Sequence, residues 1–224
     1  MEAVVGLPFL FYRSGFFQGT ASCFGSVEDL CCCSSPEGIP PESDKEMPSM
    51  VTHAAVGAAA AVAFAPAGAP VQFWPIAILS ATIADADALS FVLQGSYSDI
   101  WRHRGFFHSL SFGLCLILFW MAAFFRGTEA FSARWFSYLI IFFLTFASHG
   151  LLDALTNGGI GVAFFSPFDN TRYFLPWSPI MVSPIRLSSF FSKWGYAVLQ
   201  NEMRWIWLPS FSFAALFRLV RLLA

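Results

Sequence analysis

Charge is scarce in this chain. Only 12% of its 224 residues are Asp, Glu, Lys or Arg, about half the share a soluble domain carries. No basic run occurs and the formal net charge is -2, which argues against a nucleic-acid surface. Cysteine spacing is equally uninformative for metal. Cys23, the adjacent Cys31, Cys32 and Cys33, and the isolated Cys115 contain no CxxC pair, so a zinc ribbon is excluded. The Cys31–Cys33 run suits palmitoylation at most. No GxSxG elbow, phosphate-binding loop or dinucleotide fingerprint is present. What fills the chain instead is apolar: 57% hydrophobic residues, with 28 Phe. This composition predicts an all-α, multi-pass integral membrane protein whose first partner is the lipid bilayer.

Two regions are expected. Residues 1–49 hold four of the five cysteines and a Ser/Pro/Glu-rich stretch. Their apolar start, Val4 to Tyr12, is shorter than the roughly 20 residues a span needs, and it lacks a basic signal-type flank. They read as a disordered or dispensable extension, either disordered chain or a translated upstream stretch with Met50 as the true start. Residues 50–224 read as one helical membrane domain of about five helices. These cover about 52–66, 71–91, Phe106–Phe125, Trp135–Leu155 and Tyr196–Leu223, the last kinked near Pro209. A long loop, 156–195, separates the fourth from the fifth. Its aromatic content predicts a cap packed at the membrane interface rather than a disordered linker.

The polar residues of this domain form islands. All four histidines lie in them: His53; His103 and His108; and His149, four residues before Asp153. Asp85 and Asp87 form a further island. Ionisable groups inside apolar segments are costly and mark function by default. Five alternating helices bring every island to one side of the bilayer, with Glu202 near the start of the fifth helix. Lys45, Arg102, Arg104, Arg172, Arg186 and Lys193 lie on that side, against Arg126, Arg134, Arg218 and Arg221 on the other. The excess places the island side in the cytoplasm.

Neutral imidazole and carboxylate are ligands of hydrolytic metals. His149 and Asp153, at i and i+4, share one helix face. His103 and His108 are too far around a regular helix to share a metal, and a turn at Gly105 would bring them together. Blander readings stay open: a local His149–Asp153 hydrogen bond, a headgroup-level His103, a water-facing Asp85/Asp87 pair, a cap-region His53, and an interfacial Glu202/Arg204 patch. The metal reading takes His53, Asp85, His103, His108, His149 and Asp153 as ligands of a divalent metal, zinc first. It makes Asp87 a bridging ligand or the base, and it gives Arg102 and Arg104 to an anionic group of a small-molecule or lipid substrate. The competing class is a non-enzymatic transporter or ion-handling protein.

The islands also carry a resemblance. Thr52-His53, Asp85-x-Asp87, His103-Arg104-Gly105-x-x-His108-Ser109 and His149-x-x-Leu152-Asp153-x-x-Thr156-x-x-Gly159 occur in the order of the YdjM-like membrane-bound metal-dependent hydrolases. Phe164-Phe165-Ser166-Pro167-Phe168 and Phe174-Leu175-Pro176 resemble that family's loop. The likeness covers about residues 50–210. Ala84 stands where the family usually has Pro, and Phe107 where it usually has Thr. The resemblance implies metal-dependent hydrolysis. A distant similarity to the zinc-dependent phospholipase C and P1 nuclease group implies phosphoesters, by fold analogy only.

Overall fold

The structure, a computed structural model, describes residues 12–13, 45–47, 49–88, 101, 103–184 and 190–223. Its helices are α1 (Met50–Phe64), α2 (Phe73–Thr82), α3 (Leu110–Phe124), α4 (Ala133–Ala154) and α5 (Lys193–Leu223). Two ribbons interrupt the expected all-helical chain. Strand β1 (Tyr12–Arg13) pairs with β3 (Tyr173–Phe174), and β2 (Lys45–Met47) with β4 (Ser183–Pro184), both antiparallel. The fold is therefore mainly rather than wholly helical.

Only α4 and α5, of 22 and 31 residues, are long and apolar enough to cross a membrane among the described residues. Helix α1 has about its expected length, while α2 and α3 are shorter than expected, and the islands explain both. Helix α2 stops at Thr82 because Ile83–Ala88 tightens into a 3-10 turn that carries Asp85 and Asp87. Helix α3 starts only at Leu110, where Ser109 caps its first turn by accepting from the Phe112 amide. The preceding 3-10 turn, Phe106–His108, carries His108. Each helix is interrupted where it delivers a polar side chain. The expected end of the second helix, 89–91, lies outside the described residues. The expected kink at Pro209 takes another form. A π turn, Met203–Trp207, widens α5 just upstream, and the Leu208 amide bonds to Met203 O. Pro209 has no N–H for the Trp205 carbonyl, and the wider turn precedes that lost bond.

The two ends of the helix bundle differ. Away from the islands, Phe73, Trp120, Phe125, Tyr138 and Phe142 make an aromatic core among α2, α3 and α4. Close packing there and above depends on missing side chains. A Cβ on Gly57 would meet Ile78 Cα at 2.9 Å, so α1 and α2 touch backbone to backbone. Large apolar side chains of α3, α4 and α5, such as Phe119, Leu144 and Leu216, point outward. Outward apolar faces of this extent suit lipid rather than water.

Helix α1 is held at both ends by α5, which runs parallel to it. Glu202 accepts from Ser49 at its N-terminus, while Arg218 and Arg221 donate to the carbonyls of Ala65 and Ala63 at its C-terminus. An anion at the start and cations at the end match the helix dipole. Ser49, β1 and β2 thus join the folded body, although all three lie within the stretch expected to be dispensable. Deleting residues 1–43, which among the described residues removes only the two-residue pairing of β1, should leave folded protein. Extending the deletion through Ser49 should cost about 1 kcal/mol or more, because it removes the N-cap of α1. Thermal unfolding of the two truncations in detergent checks this; equal stability would show that Ser49 is idle.

Candidate metal centre

Four elements bring the islands together. His53 comes from the first turn of α1, and Asp85 and Asp87 from the 3-10 turn after α2. His103 and His108 flank the turn before α3, and His149 and Asp153 lie on the last turns of α4. All seven side chains are buried. The turn between His103 and His108 runs through both Arg104 and Gly105, the latter at φ -89° and ψ -132°. Arg104 has φ 61°, a left-handed conformation that costs a non-glycine residue about 1–2 kcal/mol.

The contacts fall into two layers. In the inner layer, His108 Nε2 is 3.3 Å from Asp153 Oδ2 and 3.8 Å from Asp85 Oδ1. His149 Nε2 is 3.3 Å from Asp85 Oδ1 and 3.6 Å from Asp153 Oδ2. His53 stacks on His149 with ring centroids 3.9 Å apart, and its Nε2 is 3.6 Å from Asp153 Oδ1. In the outer layer, Asp87 Oδ1 is 2.6 Å from His103 Nδ1, and its Oδ2 is 3.1 Å from His108 Nδ1. His149 Nδ1 lies 2.7 Å from the carbonyl of Ala81, to which it donates.

The electrostatics favour positive charge. Burial alone would raise the Asp87 carboxyl, but facing His108 and His103 outweighs it and lowers the group below the ordinary carboxylate range. Burial would lower the His108 imidazole, yet Asp87, Asp153 and Asp85 around it raise it well above its usual value. A divalent ion would meet the same field.

The donor set fits such an ion. The Nε2 atoms of His53, His108 and His149 and both oxygens of Asp85 and Asp153 are buried with no hydrogen-bond partner. Groups of this kind are rarely left so. Bonds of about 2.0–2.2 Å in a tetrahedral site put neighbouring donors roughly 3.4 Å apart. The inner-layer spacings of 3.3–3.8 Å lie close to that. Imidazole with carboxylate is the chemistry of zinc and related first-row ions.

Other expected site residues are placed differently. Arg104 is wholly buried and faces the protein: Nη1 donates to Gly158 O, Nη2 to the Thr156 hydroxyl, and Nε stands 3.6 Å from Asp153 Oδ2. Thr156 in turn donates to Asp153 O at 2.7 Å. Arg104 therefore ties the loop after α4 to Asp153, which leaves its guanidinium no outward face for a substrate. Arg102 lies outside the described residues. Glu202 is no interfacial charge. It is buried and bonded to Ser49 and Thr52, one residue from His53. Part of the loop after α4 packs against the turn before α3, where Ala163 N bonds to Arg104 O and Leu110 N to Phe164 O. Sequence reasoning missed Ser49 and the Ala81 carbonyl. Neither has a sequence signal, because one is an ordinary N-cap and the other is backbone.

Residues 47–223 match a family model described as YdjM inner membrane protein. The chain is 35% identical over 163 residues to the inner membrane protein YbcI of Escherichia coli strain K12, which covers 73% of this chain and 92% of that protein. No solved structure matches. The family match spans the helices and every candidate ligand, and the chain belongs to the YdjM family.

Proposed function

We propose that this chain is a multi-pass, membrane-bound, metal-dependent hydrolase acting on a phosphoester or lipid-derived substrate, with zinc as the first metal to try. One observation carries the reading: buried imidazole and carboxylate donors from four elements converge, and the Nε2 atoms of His53, His108 and His149 and the oxygens of Asp85 and Asp153 have no hydrogen-bond partner there. Such a cluster is too costly to keep inside an apolar bundle without a task. A divalent ion held there supplies Lewis acidity toward a phosphoryl oxygen and lowers the pKa of a water. The protein's part is to fix the donors, hold the ion's field in a dry site, and exclude bulk water with the loop after α4.

The transporter reading has less support. A relay needs polar groups along a route through the bilayer. Here the opposite end of the bundle is packed with aromatic side chains. The test is hydrolysis of a panel of phospholipids and generic phosphodiesters by purified, metal-replete protein. Turnover that chelator abolishes is expected. Metal crossing a reconstituted bilayer with no hydrolysis would replace this reading by transport.

The site end is proposed to face the cytoplasm. Cysteines at Gly158 and Gly127, in an otherwise cysteine-free background, should label from opposite sides, with Gly158 cytoplasmic. Labelling of both from one side would break the alternating topology.

A further inference from the structure

We propose that the centre holds a single divalent ion on His53, His108, His149, Asp85 and Asp153, and that Asp87 is a positioning residue rather than a ligand or a base. This rests on the metal reading above, but not on hydrolysis.

Three overlapping triads of donors could each be taken for an ion site: His53, His149 and Asp153; Asp85, His108 and His149; Asp87, His103 and His108. The first two share His149. That residue commits Nδ1 to the Ala81 carbonyl and has only Nε2 to offer, so both triads describe one ion. The third triad fails on distance. His103 Nδ1 and Asp87 Oδ1 are 2.6 Å apart. That is a charge-assisted hydrogen-bond length, well under the roughly 3.0–3.4 Å between neighbouring donors on one four- or five-coordinate ion. His108 also meets Asp87 through Nδ1, which leaves its Nε2 for the inner layer.

Asp87 therefore stands behind the ligands, between two imidazoles. A carboxylate on the far nitrogen of a ligating histidine fixes its tautomer and ring angle and raises its basicity. Asp87 is placed to do this for His108, its Oδ2 lying 3.1 Å from Nδ1, as the Ala81 carbonyl does for His149 by a hydrogen bond. His103 anchors the other oxygen of Asp87 and so completes the support.

Charge points the same way. Among the described residues, the cluster contains three carboxylates and one guanidinium, Asp85, Asp87, Asp153 and Arg104, all buried. With neutral histidines the sum is minus two, which one divalent ion cancels. A second ion would leave an uncompensated double positive charge in a dry interior.

The experiment is metal stoichiometry by elemental analysis on the full chain in detergent, loaded with zinc or with cobalt, together with affinity by chelator competition. One ion per chain is expected. Asp85→Asn and Asp153→Asn should lose it. Asp87→Asn and His103→Ala should keep one ion, with affinity weakened about 10–100-fold. Asp87→Glu should recover part of the loss, and the cobalt spectrum of Asp87→Asn should keep the wild-type coordination. Two ions per chain would overturn the proposal, as would loss of the ion in His103→Ala as complete as in Asp85→Asn. Should Asp87→Asn fail to fold, wild-type stoichiometry and His103→Ala still decide. Two ions with turnover would sink this inference and leave the hydrolase reading standing. One ion without turnover on any substrate would do the reverse.

Discussion

Asp153→Ala is expected to strip the centre of metal and to lower the stability of the fold by about 3–5 kcal/mol, the cost of leaving a buried charge without its partner. Asp153 has a double task. One oxygen faces His53, while the other faces His108, His149 and Arg104 Nε. Removing it takes away the one carboxylate common to all three inner histidines. It also abandons Arg104, a wholly buried guanidinium held in a left-handed turn. The two losses are separable. Adding Arg104→Met to Asp153→Ala removes the stranded charge and should recover stability without recovering metal. Elemental analysis and thermal unfolding of the single and double variants measure the two effects. If the double variant is no more stable than the single one, Arg104 does not depend on Asp153. Metal retained in Asp153→Ala would remove Asp153 from the ligand set.

The convergence of His53, Asp85, His108, His149 and Asp153 was legible because alternating helices return to one side and because polar residues are rare enough here to be informative. Periodicity also placed His149 and Asp153 on one face, four residues apart, and the structure keeps them there. What stayed hidden depends on partners far away in sequence. Arg104 reads as a cation for an anionic substrate group, yet it turns inward because Thr156, Gly158 and Asp153 wait for it more than 48 residues later. Asp87 was ambiguous for a similar reason. Its sequence neighbours cannot show which nitrogens face it, and that detail separates a ligand from a support. The second and third helices were overestimated because apolar content continues through segments such as Ile83–Ala88, where the backbone tightens and carries the carboxylates.

Glu202→Ala is expected to cost at least about 3 kcal/mol, since it strands three buried donors at about 1–3 kcal/mol each. Glu202 accepts from Ser49 N at 2.6 Å, Ser49 Oγ at 2.5 Å and Thr52 Oγ1 at 2.8 Å. Ser49 is the N-cap of α1, and Trp207 Nε1 donates to the same Thr52 hydroxyl at 2.7 Å. The carboxylate thus fastens the first turn of α1 to α5 and places negative charge at a helix N-terminus, where it is favoured. His53 follows Thr52 directly, so loosening this turn moves a ligand without touching it. Metal affinity should therefore fall together with stability in Glu202→Ala, whereas His53→Ala should weaken metal with little loss of apo-protein stability. Glu202→Gln should be intermediate, because its amide keeps one acceptor and loses the charge. Thermal unfolding and chelator competition on the three variants give the comparison. Unchanged stability in Glu202→Ala would remove Glu202 from the lock on α1. A full loss of metal at wild-type stability would make it a ligand instead.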